Sequence, residues 1–185
     1  MPAVLIAAKP LDLMNKKVRI FLLFLLPGFF LWAGCVKQEN FSDVPEIGYQ
    51  GFVLVYNPGN TGHYPDSARL TITFQDGDGD IGLSDADVNP PYDTASPYYY
   101  NFIIEYYELQ NGQFVKLDLD PPLSARIPVL SPLYPGKPIK GTISNMLPMN
   151  PAPVHDTIRI DAFIYDRALH KSNVISTPVT ILRRP

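Results

Sequence analysis

Three carboxylates stand at alternate positions in the run Gln75-Asp76-Gly77-Asp78-Gly79-Asp80-Ile81-Gly82-Leu83, and Asp85 and Asp87 follow close behind. In an extended segment residues two apart lie about 6.6 Å apart on one side of the chain, and the intervening glycines allow a curl that brings the oxygens closer. Three like charges so placed repel one another. A hard cation resolves the repulsion, because calcium takes six to eight oxygens from carboxylates, backbone carbonyls and water. Asp76, Asp78, Asp80 and Asp87 also fall at positions one, three, five and twelve of an EF-hand loop. Position six is Ile81 instead of glycine, position twelve is Asp instead of Glu, and the flanks are strand-like, so an EF-hand is rejected. Two readings remain: a calcium loop on a β scaffold, and a solvated turn in which Asp side chains satisfy local backbone groups.

The second reactive group is the only cysteine. Lys16, Lys17 and Arg19 precede the uncharged apolar run 20–34, which ends Leu31-Trp32-Ala33-Gly34-Cys35. Fifteen residues suit the apolar core of a secretory signal and fall short of the roughly 20 needed to span a bilayer. Residues 1–13 fit this scheme poorly, with Asp12 ahead of the basic cluster, so Met14 is the expected start. Small side chains at Ala33 and Gly34 let an extended backbone enter a peptidase. The ending resembles the lipobox of bacterial lipoproteins, and that resemblance implies cleavage before Cys35 and acylation of its thiol. A diacylglyceryl thioether and an acylated amino terminus together give three fatty chains, which at about 0.8 kcal/mol per buried methylene hold far more firmly than one. The competing reading, a buried thiol at the end of an uncleaved anchor, needs a longer apolar run. The expected division is a signal peptide over 1–34, a lipidated tether over 35–46 and a folded domain over 47–185.

Other catalytic chemistry is sparse. His63, His155 and His170 are scattered, and no phosphate-cradling loop, nucleophile elbow or dinucleotide fingerprint appears. His155 and Asp156 are neighbours, and neighbours on a strand point to opposite faces. The expectation is a protein that is not an enzyme. Tyr92, Tyr98, Tyr99, Tyr100, Tyr106 and Tyr107 crowd one region, and such rings suit sugar or protein surfaces as well as a core. Tyr106 and Tyr107 lie in an alternating segment, which favours packing.

The scaffold that must position these groups is β. From Cys35 on there are 17 prolines in 151 residues, about twice the usual share of ~5%, and each proline removes a helix donor and clashes with the preceding turn. The same stretch carries eleven basic and seventeen acidic residues, a net charge of −6. Nucleic acid is therefore not an expected partner. Segment 51–56 is the first expected strand, ended by the turn Asn57-Pro58-Gly59-Asn60. Ala68 to Phe74 alternates strictly, with Leu70, Ile72 and Phe74 on one face. Segments 99–109 and 114–119 flank Asn111-Gly112, the strongest short hairpin signal. Segments 125–130 and 139–143 are expected as short edge strands, and 148–153 as a loop. Thr157 to Tyr165 places Ile158, Ile160, Ala162 and Ile164 on one face, and 174–182 closes the chain.

Seven to eight short strands with turn signals and no helix predict an all-β, antiparallel Ig-like β-sandwich after the N-terminal signal segment. The run FQDGDGDIG and the ending IYDRALHKSNVISTPVTI resemble Ig-like or fibronectin type III-like domains of uncharacterised Bacteroidota lipoproteins. The segment Lys37-Gln38-Glu39 is similar to the acidic export tags of surface lipoproteins in that group. The resemblance implies an architecture and an outer-membrane address, reached through the lipid anchor; an envelope protein or a glycan is the expected partner. It implies no reaction. In an Ig-like fold the loop after the second strand and the loop between the last two lie at one end. Asp166 and Asn173 are then expected to join Asp76, Asp78 and Asp80 in the oxygen set.

Overall fold

The computed structural model describes residues 40–56, 64–130, 136–149 and 154–182. The chain divides into two compact units, Met1–Gln38 and Glu39–Pro185, and every described residue lies in the second. The expected signal segment, Cys35 and the turn 57–60 fall outside the described residues, as does most of the loop 148–153.

Among the described residues there is no helix, and eight strands form two antiparallel sheets. Strands β1 (Glu46–Val55), β2 (Ser67–Asp76) and β5 (Ile139–Pro148) form the first sheet in the order β1-β2-β5. Strands β3 (Phe102–Gln110), β4 (Gln113–Leu117), β6 (Thr157–Ile164), β7 (Ile175–Ser176) and β8 (Thr180–Ile181) form the second, ordered β4-β3-β6-β7 with β8 also on β6. The arrangement is sandwich-like. Each sheet turns its alternating apolar residues inward, and Leu70, Ile72, Phe102, Leu147, Ile158, Ile160, Ile164 and Leu182 are fully buried in one cluster. Burying each side chain of this kind contributes roughly 1.5–3 kcal/mol.

The most regular segments fold as their periodicity requires. Along β2 the buried positions are Ala68, Leu70, Ile72, Phe74 and Asp76. The same alternation that inserts three large apolar side chains therefore inserts a carboxylate at the strand's end. The β3–β4 hairpin turns at Asn111 and Gly112, both at positive φ (50° and 82°), as a type I′ turn demands.

Irregular segments depart from expectation for identifiable reasons. Strand β1 starts at Glu46, not Gly51, because the register shifts between Tyr49 and Gly51 and this bulge breaks the period-two pattern. Strand β3 starts at Phe102 and β4 stops at Leu117, both shorter than expected. Strand β5 runs through Pro148 instead of ending at 143; as an edge strand bearing Gly141, Ser144 and Asn145 it lacks clean alternation. Segment 125–130 makes only a bridge from Ala125 to Phe102, after which Ile127 bonds Leu83 and Asn101. The last segment is two strands of two residues, with Pro178 between them. Ahead of β1, Pro45 is buried, and the Ser42 carbonyl accepts from Gly77 N at 2.8 Å.

Candidate metal centre

The site grows from the last inward position of β2. Asp76 is fully buried, at 0% exposure, and its Oδ2 accepts a hydrogen bond from Asp80 N at 3.0 Å. That bond curls the segment after β2 back on itself. The curl needs the glycines: Gly79 has φ +69°, and a Cβ there would lie 2.1 Å from the Lys137 carbonyl oxygen. Gly82, at φ +119°, would put one 2.3 Å from the Pro128 carbonyl oxygen. Only glycine fits such positions. Ile81 and Leu83 then insert into the core, and backbone bonds to 127–130 fix the segment's path.

The facing side comes from the turn after β6. Asp166 is 2% exposed; its Oδ1 accepts from His170 N at 2.7 Å, and its Oδ2 lies 2.9 Å from His170 Nδ1. Ala168 N donates to Asp80 Oδ2 at 3.1 Å, joining the two segments directly. One carboxylate oxygen from each of Asp76, Asp80 and Asp166 lies within 4.8 Å of the others. Asp78 is not in that triangle, but its charge raises the pKa of Asp76, Asp80 and Asp166. Asp76 Oδ1, Asp78 Oδ1 and Asp80 Oδ1 are buried and accept no hydrogen bond.

Electrostatics follow from this crowding. Burial first, then the Asp78 and Asp80 charges, push Asp76 up to about 7 from an ordinary 3.8. Asp80 is raised by burial and by Asp166, and Asp166 is raised by burial against the opposing pull of His170. His170 is raised by its bond to Asp166.

The other expected ligand, Asn173, and the acids that follow the loop stand elsewhere. Asn173 does not join the oxygen set: its Oδ1 accepts from Ile47 N and its Nδ2 donates to Ile47 O, both at 2.8 Å. A side-chain amide can satisfy a strand's donor and acceptor at once, and here it ties the turn before β7 to the edge of β1. Asp85 is exposed. Asp87 is taken by Arg167 in a two-pronged bond of 2.7 and 2.8 Å, which holds its carboxyl well below the usual range.

Several residues that matter here carry no motif. Arg126 donates to the carbonyls of Ser84, Asp87, Tyr92 and Tyr99, gathering the long connection after the acidic loop. The Tyr92 hydroxyl donates to the Arg167 carbonyl. Of the other tyrosines, Tyr106 is in the core, Tyr107 lies beneath Arg159 on the outer face, and Tyr98 packs edge-on against Tyr165. His155 meets buried Glu108 instead of Asp156, at 2.9 Å.

Compared with known proteins, the chain matches no family model, no curated protein and no solved structure. Among the described residues, no helix is long and apolar enough to cross a membrane.

Proposed function

We propose that the chain is a lipid-anchored lipoprotein of the cell envelope, held at the outer membrane through Cys35, whose β domain serves as a non-catalytic binding or accessory module. The observation that carries this reading is the juxtaposition in sequence of a basic, apolar, lipobox-like leader ending at Cys35 with a compact β unit beginning at Glu39. An Ig-like arrangement is the finer form of the fold we propose. Its support is the strand order: the first, second and fifth strands in one sheet, the fourth, third, sixth and seventh in the other. In such a fold the connections after β2 and β6 meet at one end, and Ala168 N to Asp80 Oδ2 is such a meeting.

Mass spectrometry of the protein made in its own cells tests the anchor. The expected result is a chain beginning at Cys35 with a diacylglyceryl thioether; an intact leader and a free thiol would sink the reading. A second reading, a glycan-binding component of an outer-membrane nutrient-uptake system, draws on one surface. On the outer face of the second sheet Arg159 lies 4.7 Å from the Tyr107 ring and 4.9 Å from the Phe114 ring. Flat aromatic rings on a surface suit sugars or a protein partner. Titration of the soluble domain with envelope glycans, followed through the Tyr107 resonances, distinguishes the two: no shift at millimolar ligand ends the glycan reading.

A further inference from the structure

We infer that Asp76, Asp78, Asp80 and Asp166 bind one calcium ion, which clasps the end of β2 to the turn after β6 and thereby fixes the connection 84–100. A cluster of acids alone would carry nothing. What points to a ligand is the contrast between two buried carboxylates. Glu108, 2% exposed, has both oxygens engaged, by the Tyr106 hydroxyl at 3.4 Å and by His155 Nδ1 at 2.9 Å and its backbone N at 3.3 Å. Asp76 is more deeply buried, yet its Oδ1 has no donor, and the Oδ1 atoms of Asp78 and Asp80 share that condition. A buried acceptor left without a donor costs about 1–3 kcal/mol, and more when charged. Buried acceptors without donors on three neighbouring acids, two of which (Asp76 and Asp80) also gather with Asp166 within 4.8 Å, match the demand of a cation.

The chemistry of the donors selects the ion. All four are carboxylates, which suit hard cations; zinc favours nitrogen and sulfur. Among the described residues the imidazole beside the cluster, His170, directs its Nδ1 to Asp166. Two oxygens bound to one ion stand apart by at most twice the metal–oxygen distance, which is about 4.6–5.2 Å for calcium and about 4.2 Å for magnesium. The observed triangle closes within 4.8 Å. Asp78 and Asp80 are half-buried, which leaves a route for the ion from solvent.

The consequence beyond the site runs through Arg167. Its neighbour Asp166 supplies a ligand, its side chain holds Asp87, its carbonyl holds Tyr92, and Ala168 N holds Asp80. Fixing Asp166 against Asp76 and Asp80 therefore fixes Arg167 against the 84–100 connection. Release of the ion leaves the acids to repel and the turn to move away, loosening that connection with it.

The test uses the full chain in detergent. Isothermal titration with calcium chloride should give one site per chain, with magnesium binding at least about tenfold more weakly, as its smaller shell requires. Asp78→Asn should weaken calcium at least tenfold. Asp76→Asn should abolish binding yet raise the melting temperature in chelator, because it removes a buried charge facing like charges; a folded, calcium-blind and more stable variant excludes the objection that the substitution merely unfolds the chain. Hydrogen exchange should show 84–100 protected by calcium in the parent. In Asp87→Asn calcium should still bind, with that protection lost. No heat from calcium up to 5 mM, or unchanged binding in both Asp76→Asn and Asp78→Asn, overturns the site. Calcium binding with exchange of 84–100 indifferent to it overturns the coupling alone.

Discussion

At the scale of single residues the chain separates into acids that are compensated and acids that are not. Asp87 has Arg167 and Glu108 has His155 and Tyr106, while Asp76, Asp78 and Asp80 each keep an oxygen with no donor. The pH response in chelator follows from the signs. Asp76 is raised to about 7, so between its ordinary 3.8 and about 7 the folded chain holds a proton that the unfolded chain has released. Stability then falls as pH rises through that window, and the raised Asp80 and Asp166 act in the same direction. Asp87, lowered by Arg167, acts oppositely: its contribution is present above about pH 4 and is lost as pH falls further. Melting in chelator should therefore be highest near pH 5 and lower at pH 7.5, and a curve that rises steadily to pH 7.5 would contradict the assignment. The Asp-Gly alternation made this cluster legible in the sequence. The pairing of Asp87 with Arg167 was not, because it joins residues 80 apart and depends on how two turns fold.

Among the elements, legibility tracked regularity. Strands β2 and β6 and the Asn111-Gly112 hairpin declare themselves because period two and positive φ are local properties. Ile160, fully buried on β6 between β3 and the chain's last segment, tests the core directly. Ile160→Ala should cost about 2–5 kcal/mol in urea unfolding, as cavity-forming substitutions do; a loss under 1 kcal/mol would mean the two sheets do not pack tightly there. Strands β1, β5, β7 and β8 are faint in the sequence, since a bulge, an open edge and Pro178 each erase the period-two alternation. Asn173 shows the same limit. Its type suited a metal ligand, and the edge of β1, formed by residues more than a hundred positions earlier, claimed both its amide groups.

For the whole molecule, the two sheets share a core but few strand bonds, so contacts at their rims decide how firmly they are joined. Asn173 with Ile47 is one such rim contact, and the acidic cluster of Asp76, Asp80 and Asp166 is another. The second opposes closure unless its charge is met. An envelope protein outside the cytoplasm meets calcium at concentrations that make such an arrangement serviceable, which joins the proposed address to the proposed ion without either depending on the other. The most direct measurement is thermal unfolding of the full chain in detergent at pH 7.5, in saturating calcium and in chelator. With calcium at about a hundred times its dissociation constant the account predicts a rise of roughly 5–10 °C, absent in Asp76→Asn; superimposable curves for the parent chain would contradict it.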